Sequence, residues 1–290
     1  MKKNSPLDEF QKVLQSSKVG KNKLEVLEKE NKELKEIITR KIKEKQKIVV
    51  KANNKENKIK FAIVTDTHLG SMYEQIEYLK LFYKKAEDTG YNIILHAGDI
   101  IEGWKVYKGQ EFEVHKRGWK EQREWFEDQY PIHNNIITKF ITGNHDASFK
   151  KLVGIDVGPE LCRNRKDFIF LGEDYGDVYF QANNDKEFKV TLLHPGGGSA
   201  YALSYRPQKI IEQLEGGTKP NMLIIGNFHK SELIPNYRNI ISIQGGCFQS
   251  QTPFMKSKGL SAMMGGWFID IDLNEDFNNL TTQFMAFYHK

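Results

Sequence analysis

From residue 59 onward, short apolar runs alternate with longer amphipathic stretches, and each run empties directly into polar residues. The segments IKFAIVTD, YNIILHAGD, IITKFITGNHD, FKVTLLHP and NMLIIGNFH show this habit, the pattern of strands buried on both faces in an α/β sheet. Between them the spacing predicts helices over Glu74–Glu87, Glu121–Gln129 and Ser204–Leu214. In the last fifty residues NIISIQGGCF, GWFIDIDL and TTQFMAFYH read as successive antiparallel strands. No internal repeat is present, and the elements predict two sheets packed together with helices flanking them.

Residues 1–58 follow another rule. The segment 21–42 contains no Gly or Pro and places Leu24, Leu27, Asn31, Leu34 and Ile38 at alternating spacings of three and four. That is a heptad seam with Asn31 at an a position, where a buried amide favours two-stranded, in-register pairing. The segment predicts either a homodimer through residues 21–42 or a single amphipathic helix, and KANNKENK after it reads as a polar linker. The expected organisation is a basic N-terminal helical arm and linker over 1–58, followed by one domain over 59–290.

Charge separates the same two regions. Residues 1–60 carry 18 Lys or Arg against 9 Asp or Glu, whereas the whole chain of 290 residues is only +5, so the body is mildly acidic. A basic arm beside an acidic body suits phosphate contacts or self-association by the arm, and differs from a basic binding face. The 18 Phe, 12 Tyr and 4 Trp exclude a wholly disordered polymer. Cys162 and Cys247 lie outside any CxxC pattern, which excludes a disulfide framework or a thiolate zinc site. No apolar run nears the roughly 18 residues that cross a bilayer, and MKKNSPLDEF leads into no signal-peptide core, so a cytoplasmic protein without membrane contact is expected.

The polar ends of the strands carry the candidate chemistry. Asp66 and His68 follow the first run, Asp99 the second, Asn144 and His145 the third, His194 the fourth, and Asn227 and His229 the fifth. In an open α/β sheet, ligands collect where the carboxyl ends of strands meet. Carboxylate, imidazole and amide oxygen donors together suit Mn, Fe or Zn better than Ca or Mg. His96, inside the second strand end, reads as a core or supporting residue.

The order DxH, GD, GNHD, H and GxxH resembles the calcineurin-like metallophosphoesterase family over about residues 59–290. The resemblance implies a four-layer α/β/β/α metallophosphoesterase sandwich around two divalent metal ions, Mn first, with Fe, Zn or Mg as alternatives. It implies one metal held by Asp66, His68 and His229, a second held by Asn144 and His194, and Asp99 bridging both. The fifth motif departs from the family's GHxH by placing Asn227 where a second imidazole is usual. An amide oxygen there would ligate more weakly, which leaves the second position looser, completed by water instead, or selective for a harder cation. Such a pair of metals activates a water lying between them for in-line attack on phosphorus. His145 is placed to stabilise the transition state or protonate the leaving oxygen, with Glu102 or Asp146 as the carboxylate that orients it.

Substrate contacts are expected from Arg206, in the glycine-rich segment after His194, and from Lys230. Phe248 and Phe254, near Lys256 and Lys258, fit base stacking beside phosphate contacts or plain core packing. The region GNFHK…QGGCFQSQTPFMKSKG is similar to phage and archaeal phosphoesterases that resemble the small subunit of archaeal D-family DNA polymerases and double-strand-break repair nucleases. This implies a DNA-hydrolysing phosphodiesterase or nuclease with nucleic acid as partner. Two alternatives stand beside it. A phosphomonoesterase of the serine/threonine protein phosphatase type would usually carry GDxxDRG, and GDIIEG lacks that Arg. A non-catalytic assembly subunit would keep the fold and use the arm to bind partners.

Overall fold

The computed structural model describes residues 48–51, 57–182, 186–273 and 278–288. The heptad segment 21–42 lies outside them. In chain order the elements are β1 (Ile48–Lys51), β2 (Lys58–Val64), α1 (Ile76–Asp88), β3 (Ile93–Ala97), α2 (Gly118–Gln129), β4 (Ile137–Thr142), α3 (Ser148–Val153) and α4 (Val157–Leu161). There follow β5 (Phe168–Glu173), β6 (Tyr175–Gln181), β7 (Glu187–Leu193), α5 (Tyr205–Gln213), β8 (Met222–Ile225), β9 (Ser231–Tyr237), β10 (Ile240–Gly245), α6 (Pro253–Ser257), β11 (Gly265–Leu273) and β12 (Asn278–Ala286).

Among the described residues two six-stranded sheets form, in the orders β12-β11-β2-β3-β4-β5 and β1-β6-β7-β8-β10-β9. Strands of the parallel core bury both faces, which is why their sequences read as unbroken apolar runs. Phe61, Ile63, Leu95 and Ile141 of the first sheet meet Val178, Val190, Leu192 and Ile224 of the second between the sheets. The outer face of the first sheet packs Val64, Ile94 and Phe140 against Leu79, Phe82 and Tyr83 of α1 and Phe126 of α2. On the opposite outer face, Ile211 of α5 covers Leu223 and Ile225 of β8. Helix, sheet, sheet and helix therefore make the four layers that the motif order implies.

Within the first sheet β2, β3 and β4 are parallel neighbours, and within the second β7 and β8 are parallel. Parallel pairing brings the carboxyl ends of each set to one edge, so the five strand ends that carry candidate ligands are gathered by topology. Two features differ from the sequence pattern. β10 pairs parallel with β8 and antiparallel with β9, whereas β11 and β12 belong to the other sheet, so the three C-terminal runs are not one antiparallel succession. Ile48–Lys51, which the sequence pattern groups with the arm, pairs in parallel with β6.

Candidate metal centre

Backbone geometry sets the candidate ligands apart before any side chain is considered. Asp66, His68, Asp99, Asn227 and His229 all adopt left-handed φ between 49° and 72°, a region that non-glycine residues enter at a cost of about 1–3 kcal/mol and that clusters at functional sites. Main-chain bonds hold the turns together. Asp66 N donates to Gly98 O at 3.0 Å, Thr67 N and His68 N to Asp99 O at 2.9 and 3.1 Å, and Glu102 N back to Leu69 O at 2.9 Å. At Gly143 any Cβ would collide with the Asp99 carboxylate and the His194 ring, so only glycine lets the β4 turn approach the centre.

Among the described residues three overlapping groups bring ligand atoms within 4.8 Å of one another: Asp66, His68 and His229; His68, Asp99 and His145; Asp66, Asp99 and His194. Because they share members they form one continuous cluster. His68 Nε2 and His229 Nε2 face each other at 3.1 Å, and Asp66 Oδ1 lies 3.3 Å from the latter. His68 Nδ1 donates to Glu102 Oε2 at 3.0 Å, so its other nitrogen holds the lone pair that points into the cluster. His194 is arranged in the same way, with Nδ1 donating to Ala97 O at 2.7 Å and Nε2 lying 3.1 Å from Asp99 Oδ2 and 3.2 Å from Asn144 Oδ1. Facing imidazole nitrogens beside two buried carboxylates fit a divalent cation. Asp99, the expected bridge, lies between the groups, its Oδ1 accepting from His145 N at 2.8 Å.

Glu102 and Asp146, the two candidates to orient His145, have separate duties. The Glu102 carboxylate orients His68, and it is held by Gln110 Nε2 at 2.7 Å and Gln249 Nε2 at 3.1 Å. His145 Nδ1 donates at 2.6 Å to the Glu102 main-chain carbonyl and stands 3.8 Å from its carboxylate, which leaves Nε2 for the cavity. Asp146 never reaches the His145 ring in this arrangement of bonds. Its buried carboxylate accepts from Gly143 N at 2.8 Å, Ile101 N at 3.0 Å and Ile100 N at 3.2 Å, tying the β3 and β4 turns together. Burial, with Asp99 nearby, pushes its carboxyl up to about 7. Gln110 and Gln249 carried no sequence signal, because an isolated glutamine looks the same whether it braces a site or faces solvent.

A cavity of about 490 Å³ opens in front of the cluster and is lined by His68, Asp99, Asn144, His145, Asn227 and His229 at its polar end. Asn227 shares this wall, but its Nδ2 donates to Pro195 O and, at 3.0 Å, to Gly197 O, so the amide ties down the glycine loop. Arg206 and Lys230, expected to grip substrate, each bond to oxygens of the protein. Arg206 Nη2 donates to Gly196 O at 2.8 Å, and Lys230 Nζ donates to Ser261 O and Oγ at 2.9 and 2.7 Å. Neither lines the cavity. Phe248 is buried in the core against Phe82, while Phe254 stands in the cavity wall. His96 is wholly buried, its Nε2 lying 3.2 Å from Thr67 Oγ1, in keeping with a supporting role.

Electrostatics of the metal-free cluster yield a testable consequence. Burial opposes ionisation of Asp99, yet His194 and His145 outweigh it and hold the carboxyl far below its ordinary range. Burial likewise opposes a charge on His194, but Asp99 and then Asp66 raise it from 6.5 to about 10. A folded value above the unfolded one means that this pairing stabilises the metal-free protein fully below pH 6.5, and that the stabilisation fades as pH climbs toward about 10. A cation binds only the neutral imidazole, so loading near neutral pH must expel the proton. Calorimetric titration of Mn²⁺ at pH 7 in buffers of different ionisation enthalpy is expected to report proton release, with affinity rising as pH rises. A heat independent of buffer would remove His194 from the ligand set.

Residues 59–241 match the family model described as calcineurin-like phosphoesterase. The DNA polymerase II small subunit of Methanocaldococcus jannaschii is 28% identical over 251 residues, covering 71% of this chain and 41% of that one. Its counterpart from Methanothermobacter thermautotrophicus is 26% identical over 252 residues, covering 72% and 51%. The chain thus spans about half the length of these curated relatives or less. Among solved structures, vacuolar protein sorting 29 from Cryptosporidium parvum aligns with 79% of this chain and 98% of its own at 14% identity and a TM-score of 0.36.

Proposed function

The chain belongs to the calcineurin-like phosphoesterase family, and from that premise we propose that it hydrolyses phosphodiesters, DNA first among them, at a centre for two divalent ions. Asp66, His68 and His229 would hold one ion, Asn144 and His194 the other, with Asp99 shared. Asn227, whose Nδ2 donates to the Pro195 and Gly197 carbonyls, could offer the second position only its amide oxygen, a weaker ligand than imidazole. Bound there, the ions supply the positive charge that activates water and neutralises phosphate oxygens. The protein's own part is orientation and proton transfer. Glu102 and Ala97 O fix which nitrogens of His68 and His194 face inward, and His145, with Nδ1 committed to Glu102 O, presents Nε2 to deliver a proton to the leaving oxygen.

The observation that carries this reading is the convergence of the strand-end carboxylates and imidazoles at the head of one cavity, with His145 beside them. A diester is favoured over a monoester because the cavity's described lining contains no arginine and Lys258 as its one lysine, little to match a dianion. DNA is favoured because the relatives are DNA polymerase subunits and because of the basic arm.

The test is hydrolysis, with Mn²⁺, of bis-p-nitrophenyl phosphate, p-nitrophenyl phosphate and labelled single- and double-stranded DNA. The diester and DNA should be cleaved well ahead of the monoester. Faster cleavage of the monoester would move the reading to a phosphatase. A metal-loaded protein that binds DNA and cleaves none of the substrates would support the assembly-subunit reading, which these polymerase subunits also favour.

A further inference from the structure

Beside its metal-ligand end, the cavity changes character. Val106, Tyr107, Phe254, Met255 and Leu260 give it an apolar wall, and Lys258 also lines it. We propose that this wall is a nucleobase subsite, and that it seats the base on the leaving-group side of the scissile phosphate. The side assignment rests on the hydrolytic reading above; the binding of a base does not.

Three observations converge on this inference. Tyr107 and Phe254 form a stacked pair, with ring centroids 4.4 Å apart and planes at 26°. The pair is held from both chain segments: Tyr107 OH donates to Glu113 Oε2 at 2.8 Å, and Thr252 caps the turn carrying Phe254 by accepting from Met255 N at 3.2 Å. Phe254 nonetheless keeps 36% of its surface exposed. A rigid aromatic pair with one ring open is suited to extending its stack by one flat group, and every base offers a π-face whatever its sequence identity. Lys258 adds a donor for the acceptor atoms on a base edge. Finally, the Tyr107 ring lies 6.2 Å from that of His145. The aromatic wall therefore adjoins the residue that serves the leaving oxygen.

Binding of 2′-deoxyadenosine 5′-monophosphate, compared with 2-deoxyribose 5-phosphate, isolates the base, and calorimetry on the full-length Mn²⁺-loaded protein reads it without turnover. The nucleotide is expected to bind about tenfold or more tighter, in line with the cost of removing one stacking contact. Phe254→Ala should erase most of that ratio and Phe254→Trp should retain it, with the sugar phosphate bound equally by all three proteins. Equal binding of both probes to the wild-type protein overturns the subsite. Hexyl phosphate binding as tightly as the nucleotide also overturns it, since the wall would then be taking grease rather than a flat ring. Base-dependent binding without diester cleavage would leave the subsite standing and defeat the hydrolase reading; cleavage with base-blind binding would do the reverse.

Discussion

Asp99→Asn is expected to lower metal-dependent hydrolysis by on the order of 10³-fold or more while leaving the fold intact. Asparagine is the informative replacement because it tolerates the left-handed backbone at this position, where φ is 55°. Its amide oxygen can still accept from His145 N, the bond that Asp99 Oδ1 makes at 2.8 Å. What disappears is the charge shared by the ligand groups. His194, raised to about 10 chiefly by Asp99 against its burial, should then titrate much closer to its ordinary value. Equilibrium dialysis against Mn²⁺ beside a rate measurement decides the matter. A variant that keeps its full metal complement and most of its rate would take Asp99 out of the bridge.

His145→Ala is expected to keep its metal and to lose about 10²–10⁴-fold in rate on DNA, whose alkoxide leaving group needs a proton. On bis-p-nitrophenyl phosphate the loss should be small, because nitrophenoxide departs unaided. The comparison is sharpened by position. His145 sits within 4.8 Å of ligand atoms of both His68 and Asp99, so lost metal in the variant would make it a ligand rather than an acid. An equal loss on both substrates would assign it to stabilising charge on phosphorus.

Much of the body was legible because its strands announce themselves twice, by an apolar run and by the polar residue that ends it. β6 lacks the second signal. Its alternating burial over YGDVYFQ is an ordinary half-buried strand, but it ends in no ligand and no other landmark. β9 carries Pro235 and no fully buried residue, so its pattern is that of an edge and close to that of a loop. The sheet to which NIISIQGG belongs is a non-local fact: the run says strand, and only the packing of β8 says parallel.

At the centre, residue type and spacing found the ligand candidates, since few other reasons put imidazoles and carboxylates after successive buried strands. The supports stayed hidden. Glu102 acts on His68 through its carboxylate and on His145 through its main-chain oxygen, and the latter role belongs to no particular side chain. For Arg206 and Lys230 the sequence offers no way to tell a cation beside a phosphate site from one that meets a nearby carbonyl, as theirs do.

The tie made by Asp146 reaches beyond catalysis. Because one carboxylate holds the Ile100, Ile101 and Gly143 amides, the two turns that frame the cleft are tied to each other by protein atoms. Ligand residues can then be exchanged one at a time without collapsing the shape they line. In a fold of this family, a change of the candidate ligands alone would then leave the cleft's walls in place, and the path from a phosphoesterase to a protein that only binds would be a few substitutions long.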